Sequence, residues 1–271
     1  MKLTLLSICI LLFSSAFSQH PIIGKLWIGD AENYMQVDSN AVQVQYIHEY
    51  AGKKNLMINY YKYILSGDTL QLVVGHNNSS EKHNFLIETL PNEGLKLIPI
   101  TRYFWTLSST KYTKNEFPFR DQEHIYTDTI RLEKIVFSST NCYGSCPAMS
   151  LEIDNNKQMK FIGSFHAIKK GPHTAALSEE QYNELLKLLA ISNLNKLENA
   201  GRFNIDLPTF GVEVHYNHKI RYFQTSFPPL IAFKLVRYLY DLPTKVELKE
   251  ATPMEIHFAT PGGEIDIFRR K

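Results

Sequence analysis

The sequence has little of what usually identifies an activity. Its 271 residues include three cysteines, carry a formal net charge of +2, and contain neither a Gly-x-Ser-x-Gly elbow nor a glycine-rich phosphate loop. The near-neutral charge gives no electrostatic reason to expect nucleic acid or an acidic membrane surface as the partner. The missing motifs remove the usual signatures of serine hydrolases and nucleotide-binding enzymes. What is abundant is apolar and aromatic character, 44% and 12% of the residues, which suffices for a sizeable core.

Long apolar runs are also scarce, and the one at the N-terminus has the pattern of a secretory signal peptide. Residues 1–18 combine the positive charge of Lys2 with an apolar stretch and end with the small residues Ala16 and Ser18. We therefore expect cleavage between Ser18 and Gln19, followed by export to the periplasm or the cell surface. After this cleavage no other stretch is apolar enough to be predicted as a membrane span.

Two alternatives to a cleaved signal remain open. The segment could stay as a membrane anchor, although its apolar run is shorter than the roughly 20 residues that span a bilayer. It could also carry a lipid on Cys9, although Ile8 is bulkier than the residue that normally precedes a lipidated cysteine. Cleavage and export fit the pattern better than either alternative.

Removal of the signal leaves one close pair of cysteines, Cys142 and Cys146, in the segment Asn-Cys-Tyr-Gly-Ser-Cys-Pro. In an exported chain such a pair favours a structural disulfide. A redox-active pair is an alternative, but thioredoxin-like motifs have two residues between the cysteines rather than three. A metal site or free thiols are the remaining alternatives, and no second cysteine pair exists to complete a zinc site.

Residues 19–110 are predicted to form an antiparallel β domain. Apolar residues alternate with polar ones at residues 42–46 and 70–74, and Pro91 interrupts the pattern before another alternating segment at residues 95–98. No helical periodicity lies between the predicted strands. An antiparallel meander that curls into a barrel or half-barrel is the expected architecture.

The order of short segments in this half is similar to that of bacterial lipocalin-like domains. Gly-Lys-Leu-Trp at residues 24–27 precedes a tyrosine-rich strand, which leads into Ser-Gly-Asp-Thr-Leu at residues 66–70 and then into residues 85–87 and 95–97. The resemblance implies a barrel with a cavity for a small apolar ligand. The alternative is that the aromatic side chains simply fill a closed core.

Residues 111–123 are predicted to be a linker, because a polar run is followed by Pro118 in a non-periodic setting. Residues 124–250 then show the order β-β-β-α-β-β-α, which favours an antiparallel sheet with two helices on one face. Ser178 and Gln181 have the spacing of a capping box at the start of the first helix. Residues 251–271 are predicted to form a tail with a short hairpin.

The second half resembles an uncharacterised bacterial domain of unknown function that is common in exported proteins of Bacteroidota. The resemblance rests on the following segments: residues 135–137, the Cys-Tyr-Gly-Ser-Cys-Pro segment at 142–147, 149–153, the helix from Ser178, 206–208 and 228–230. No activity is established for that family. The resemblance therefore names a domain without implying a reaction.

The candidate chemical groups of the second half are four histidines and one aspartate. His215 and His218 flank a predicted β-turn without a convincing third ligand, and His166 and His173 are expected in a solvated loop. Asp206 is expected to cap a turn. The sequence thus predicts no catalytic residue, no metal site and no cofactor.

We therefore expect an exported, non-enzymatic binding or interaction module whose partner is an unknown protein or a small apolar ligand. One alternative is a carrier that holds a small apolar ligand inside the N-terminal β domain. Another is an enzyme with a site at the junction of the two domains, where concave pockets often form.

Overall fold

The computed structural model of the protein describes residues 20–30, 33–50, 53–76, 79–91, 93–100, 115–125, 129–197, 204 and 206–260. It contains a closed antiparallel barrel of eight strands followed by an antiparallel sheet of seven strands with helices. This confirms the predicted combination of a mainly β half and an α+β half. The signal peptide, including the predicted cut between Ser18 and Gln19, lies outside the described residues. None of the helices in the described part of the chain has the length and apolar character needed to cross a bilayer.

The barrel strands follow one another in chain order. They are β1 (Leu26–Gly29), β2 (Tyr34–Val37), β3 (Val42–Tyr50), β4 (Lys53–Ser66), β5 (Thr69–His76), β6 (Ser79–Leu90), β7 (Gly94–Pro99) and β8 (Phe117–Asp121). Every strand is antiparallel to its neighbours, and β8 pairs with both β7 and β1. This pairing closes the barrel, so that none of its strands is left with an open edge.

The eighth strand differs from the sequence-based interpretation, which places residues 111–123 in a linker. Phe117 and Phe119 point into the barrel and are buried, and Arg120 lies opposite Ile28 of β1. Pro118 conceals the strand in the sequence because proline cannot donate a backbone hydrogen bond within a sheet. The N-terminal unit therefore extends to Asp121 rather than ending at residue 110.

Apolar side chains line the interior of the barrel and form one buried cluster. The period-two alternation of the strands directs these residues inward, and the buried set comprises Ile22, Trp27, Met35, Val37, Val42, Val44, Tyr46, Tyr61, Leu70, Leu72, Val74, Phe85, Ile87, Leu95, Leu97, Phe117 and Phe119. Phe85, Leu70 and Leu72 are fully buried. These buried residues form one apolar cluster, which fits the second of the two interpretations of the aromatic residues.

The second sheet has the strand order β14-β13-β9-β10-β11-β12-β15. Its strands are β9 (Leu132–Ser139), β10 (Met149–Asp154), β11 (Gln158–Gly163), β12 (Gly171–Ala176), β13 (Phe210–Tyr216), β14 (Lys219–Thr225) and β15 (Lys249–Glu250). The helices are α1 (Gln122–Ile125), α2 (Glu179–Ile191) and α3 (Leu230–Asp241), with 3-10 turns at Leu194–Lys196 and Leu242–Thr244. Two strands, β12 and β15, add to the predicted element order.

The helix boundaries follow from local chemistry. The Ser178 side chain accepts a hydrogen bond from the Gln181 amide, and the Gln181 side chain accepts one from the Ser178 amide, which confirms the predicted capping box. Helix α3 begins directly after Pro229 and ends at Asp241, before the 3-10 turn that contains Pro243. Both helices pack on one face of the sheet, here called the inner face, against residues such as Phe137.

Two buried glutamines join the barrel to the helices. Gln45 of β3 accepts a 2.7 Å hydrogen bond from the backbone amide of Leu230, the first residue of α3. The side-chain amide of Gln122 donates to the carbonyl groups of Ile191 and Ile231, at 2.8 and 3.0 Å. Burial in an apolar contact makes each of these bonds costly to break. The glutamines therefore hold the barrel wall against α3.

Candidate functional site

A groove of about 410 Å³ lies where the outer surface of the barrel meets α3. Its barrel side comes from β3 and β4, on which Gln43 is paired with Tyr60 and Gln45 with Ile58. Because Val42 and Val44 point into the barrel, their neighbour Gln43 points outward, and so does its partner. Tyr60 is 69% exposed and forms an aromatic rim of the groove.

The second side of the groove is one stripe of α3. Phe233, Val236, Arg237 and Tyr240 follow the i, i+3, i+4, i+7 spacing that places side chains on one face of a helix. Most of the opposite face of α3 is buried against the sheet. The helix thus has two apolar faces, and the one at the groove includes Phe233, which is 41% exposed.

The remaining side consists of two loops that hydrogen bonds fix to each other. The hydroxyl groups of Thr209 and Ser226, one from each loop, lie 3.1 Å apart. Within the second loop, the Thr225 hydroxyl accepts a hydrogen bond from the Phe227 amide at 2.9 Å and donates one to the Phe227 carbonyl at 3.1 Å. Next to them the ring of Phe210 packs edge-on against Tyr240, with a centroid distance of 5.6 Å. This side is held in shape by contacts within the protein itself.

The chemistry of the lining favours binding. The lining residues are Gln43, Ile58, Tyr60, Leu207, Pro208, Phe210, Ser226, Phe227, Pro228, Phe233, Val236, Arg237 and Tyr240. They supply five aromatic rings and one guanidinium group, with Arg237 Nε 3.6 Å from Asp241. Burial and the neighbouring Asp241 charge raise the pKa of Tyr240, so its hydroxyl stays protonated at neutral pH. These lining groups offer apolar contact, hydrogen bonding and one positive charge.

The predicted cysteine pair lies close to the groove. The sulfur atoms of Cys142 and Cys146 are 2.03 Å apart, the distance of a disulfide bond. Thr140, two residues before the loop, is bonded to Thr209, which lies between the lining residues Pro208 and Phe210. The Thr140 amide donates to the Thr209 carbonyl at 3.0 Å, and the Thr209 amide donates to the Thr140 hydroxyl at 2.9 Å. Tyr143 at the tip of the loop is 91% exposed.

The four histidines and Asp206 do not form a common site. His218 is exposed at the β-turn, as expected, whereas His215 is half-buried and lies 2.7 Å from a carboxylate oxygen of Glu213. His173 differs from the expectation of a solvated loop, because it is buried on β12. The turn at Asp206 is capped by Asn204, whose side chain accepts from the Asp206 amide at 2.9 Å.

A separate polar cluster lies at the end of the barrel. Glu93, Asp121 and His124 place potential metal ligands within 4.8 Å of one another. The ammonium group of Lys25 lies 2.7 Å from Asp121 and 3.7 Å from Glu93, and His124 is 2.6 Å from Glu93. The pKa of Lys25 is raised, first by its hydrogen bond to Asp121. An internal cation already satisfies the acidic groups, so this cluster is an ion-pair network.

Sequence reasoning missed the groove because its residues come from five separated segments. The one available signal is on α3, where Phe233, Arg237 and Tyr240 form a second stripe beside the core-facing one. Nothing in the sequence shows that β3 and β4 approach this stripe. That contact depends on the long-range hydrogen bond from Leu230 to Gln45.

A comparison with known protein families finds one match. A family model described as a domain of unknown function (DUF6438) matches residues 133–227, which span β9 to β14 together with α2 and the cysteine pair. This confirms the prediction of a domain of unknown function in the second half. No curated protein and no solved structure matches the chain. The matched region supplies the loop side of the groove, whereas the barrel and α3 lie outside it.

Proposed function

We propose that the protein is an exported, non-enzymatic binding module and that the groove between barrel and α3 binds a small apolar ligand with one acidic group. The proposal rests on one observation: the groove is concave, is lined by aromatic side chains, and has loops that are held in place by hydrogen bonds. Its volume of about 410 Å³ is within the range of about 300–1,000 Å³ that is typical of small-molecule sites. The N-terminal signal pattern and the cysteine pair support export.

The side chains that line the groove indicate which chemical class of ligand it binds. The rings of Phe210, Phe227 and Phe233 favour a compact aromatic or branched aliphatic body, since burial of such a group contributes about 25 cal/mol per Å². Arg237 at the rim favours a carboxylate or a similar anion, because a guanidinium group binds such groups with two parallel hydrogen bonds. The ligand is therefore an amphiphile with one negative end.

The two alternative functions have less support from the geometry. A carrier site inside the barrel needs free volume, and the described interior is occupied by residues such as Phe85 and Leu72. An enzyme at the junction needs an acid, a base or a nucleophile within reach of a substrate. The residues that line the groove include no histidine, carboxylate or cysteine. Binding is the activity that these lining residues support.

The proposal can be tested with anilinonaphthalene sulfonate, a fluorescent probe that has an apolar aromatic body and one anionic group. The mature full chain is titrated with the probe, and Phe233→Ser and Arg237→Gln variants are compared with it. Phe233→Ser should weaken binding about tenfold, because burial of an aromatic side chain contributes more than the 1.4 kcal/mol that corresponds to tenfold. Arg237→Gln should weaken it about threefold, as expected for an exposed charge.

Matched controls separate the groove from general surface binding. Ile64→Ser removes another exposed apolar side chain of the barrel, 53% exposed and outside the groove, and Arg120→Gln removes another exposed arginine. Both controls should bind the probe as the parent does. Equal affinity in all five proteins, or no binding by the parent, would contradict the proposal.

A further inference from the structure

Part of the outer face of the second sheet, opposite α2 and α3, lies beneath a segment of the chain itself. We call residues 251–260 the strap. Val136, Ser138 and Glu213 lie on this face, since they alternate with residues that pack on the helices, and yet all three are buried. The hydroxyl group of Ser138 has no hydrogen-bond partner in the described structure. The helices do not lie on this face, and the strap contacts it at Glu213 and Tyr222.

The strap is fixed near opposite edges of the sheet. At its start the Ala251 amide donates to the Pro172 carbonyl at 3.2 Å, directly after β15 has paired with β12. At its end the Phe258 ring packs edge-on against Tyr222 of β14 at 5.7 Å. Four strand spacings, about 19 Å, separate β12 from β13, and eight extended residues reach about 26 Å. The strap therefore crosses the outer face in an extended conformation.

One buried carboxylate holds the end of the strap. The two oxygens of Glu213 accept hydrogen bonds from the backbone amides of Ala259 and Thr260, at 3.0 and 2.8 Å. His215 lies 2.7 Å from the same carboxylate. Because backbone amides are the donors, any non-proline residue at these two positions can make the same bonds. Glu213 thus binds a pair of successive backbone amides, and the side chain of Thr260 adds a hydrogen bond to the same carboxylate.

The middle of the strap has the pattern of a bound peptide rather than of a sheet strand. Met254, Ile256 and Phe258 are partly or fully buried and alternate with the exposed Glu255 and His257. Among the backbone hydrogen bonds of the described chain, none joins residues 252–256 to the sheet. Side-chain burial and the Glu213 contact therefore contribute to the attachment of the strap.

We propose that the outer face of the second sheet is a binding site for an extended peptide and that residues 254–260 are its resident, exchangeable occupant. The site accepts a segment with apolar side chains at alternate positions, an aromatic residue at the third of them, and two free backbone amides after it. A segment of this kind from another protein competes with the strap for Glu213 and Tyr222. The inference is independent of the groove, which lies at the barrel junction.

The experiment uses the full chain with a protease site inserted between Thr252 and Pro253, both of which are exposed. After folding the strap is cut, and a fluorescent peptide with the sequence of residues 254–271 is added in excess. Fluorescence anisotropy measures its incorporation, and circular dichroism monitors the fold. The cut protein should exchange its strap for the labelled peptide and stay folded. The uncut protein should bind the peptide at least 100-fold more weakly, because its tethered strap competes at a high effective concentration.

Peptide variants make the test independent of protein stability. A Phe258→Ala peptide should bind the cut protein at least tenfold more weakly than the parent peptide, whereas a Glu255→Gln peptide should bind equally, because Glu255 is exposed. Three results would each overturn the proposal. They are a cut strap that does not exchange, loss of the fold when the strap leaves, and equal affinity of the Phe258→Ala and parent peptides.

Discussion

The barrel and the second sheet bury their apolar residues in different ways. The barrel closes on itself, so one interior takes all inward side chains and no strand edge is left unpaired. The second sheet has two faces and needs a separate cover for each. Helices α2 and α3 cover the inner face, while the ten-residue strap lies across part of the outer face.

This difference indicates where in the molecule a binding site can form. The barrel closes around a cluster of buried apolar residues, and its outer surface forms one wall of the groove. A sheet covered by separable pieces has boundaries between the pieces, and both candidate sites lie at such boundaries. The groove borders α3, and the peptide site lies beneath the strap. Under both proposals the second half supplies most of the binding surface, and the barrel supplies one wall of the groove.

The largest change in the free energy of unfolding is expected from a substitution in the barrel interior. Phe85→Ala should lower the free energy of unfolding by about 3–5 kcal/mol, because it removes a fully buried ring from a packed core. Tyr60→Ala on the outer surface of the same barrel should change it by less than about 0.5 kcal/mol. Urea denaturation measures both values. A small loss for Phe85→Ala would indicate a hollow barrel and would restore the carrier interpretation.

The next largest change in stability is expected at Glu213, on the outer face of the second sheet. Burial alone would raise the pKa of Glu213, but hydrogen bonds from Thr260, from His215 and from the amides of Ala259 and Thr260 lower it to about 2. The carboxylate therefore stabilises the fold above its ordinary pKa of 4.5, and this stabilisation is lost as the pH falls toward about 2.

Glu213→Gln tests this pH dependence. At neutral pH the substitution should cost about 3 kcal/mol, and the difference from the parent should shrink between about pH 4.5 and pH 2. Denaturation curves at several pH values measure the difference. A difference that is constant across this range would contradict the role of the ionised Glu213.

A smaller loss of stability is expected from a substitution at the contact between the barrel and α3. Gln45→Ala leaves the buried Leu230 amide without its acceptor and should cost about 2 kcal/mol. Gln43→Ala, on the same strand and at the edge of the groove, is the matched control and should cost much less. Equal losses for the two variants would show that Gln45 does not join the barrel to α3.

The smallest effect is expected at the cysteine loop. The double variant Cys142→Ser, Cys146→Ser should lose at most about 2 kcal/mol, because only a short ring is opened. Thermal denaturation should show a modestly lowered melting temperature with the fold retained. A complete loss of folding would show that the loop organises the sheet more strongly than its length suggests.

Local chemistry made much of the fold predictable from the sequence. The capping box at Ser178, the turn at Asn217 and the alternation at residues 149–153 depend on neighbouring residues alone, and the structure contains all three. Strand β12 escaped prediction because Gly-Pro-His-Thr-Ala-Ala has a weak strand propensity, and its pairing with β11 determines its conformation.

The candidate sites depend on contacts that no local pattern contains. Residues 255–258 were predicted to be part of a hairpin, because alternation identifies an extended segment without showing what it packs against. In the described part of the tail, residues 251–260, the chain forms no strand and lies on the outer face of the sheet. Nothing in the sequence around Glu213 distinguishes it from other strand residues, because its hydrogen-bond partners Ala259 and Thr260 lie more than 40 residues away.

The most direct test of the central claim is native mass spectrometry of the protein purified from its own host. The parent and the Phe233→Ser and Ile64→Ser variants are measured side by side. The account predicts that the parent and Ile64→Ser retain a small acidic apolar ligand and that Phe233→Ser loses it. A parent without any bound small molecule, or the same ligand retained equally by all three proteins, would contradict binding in the groove.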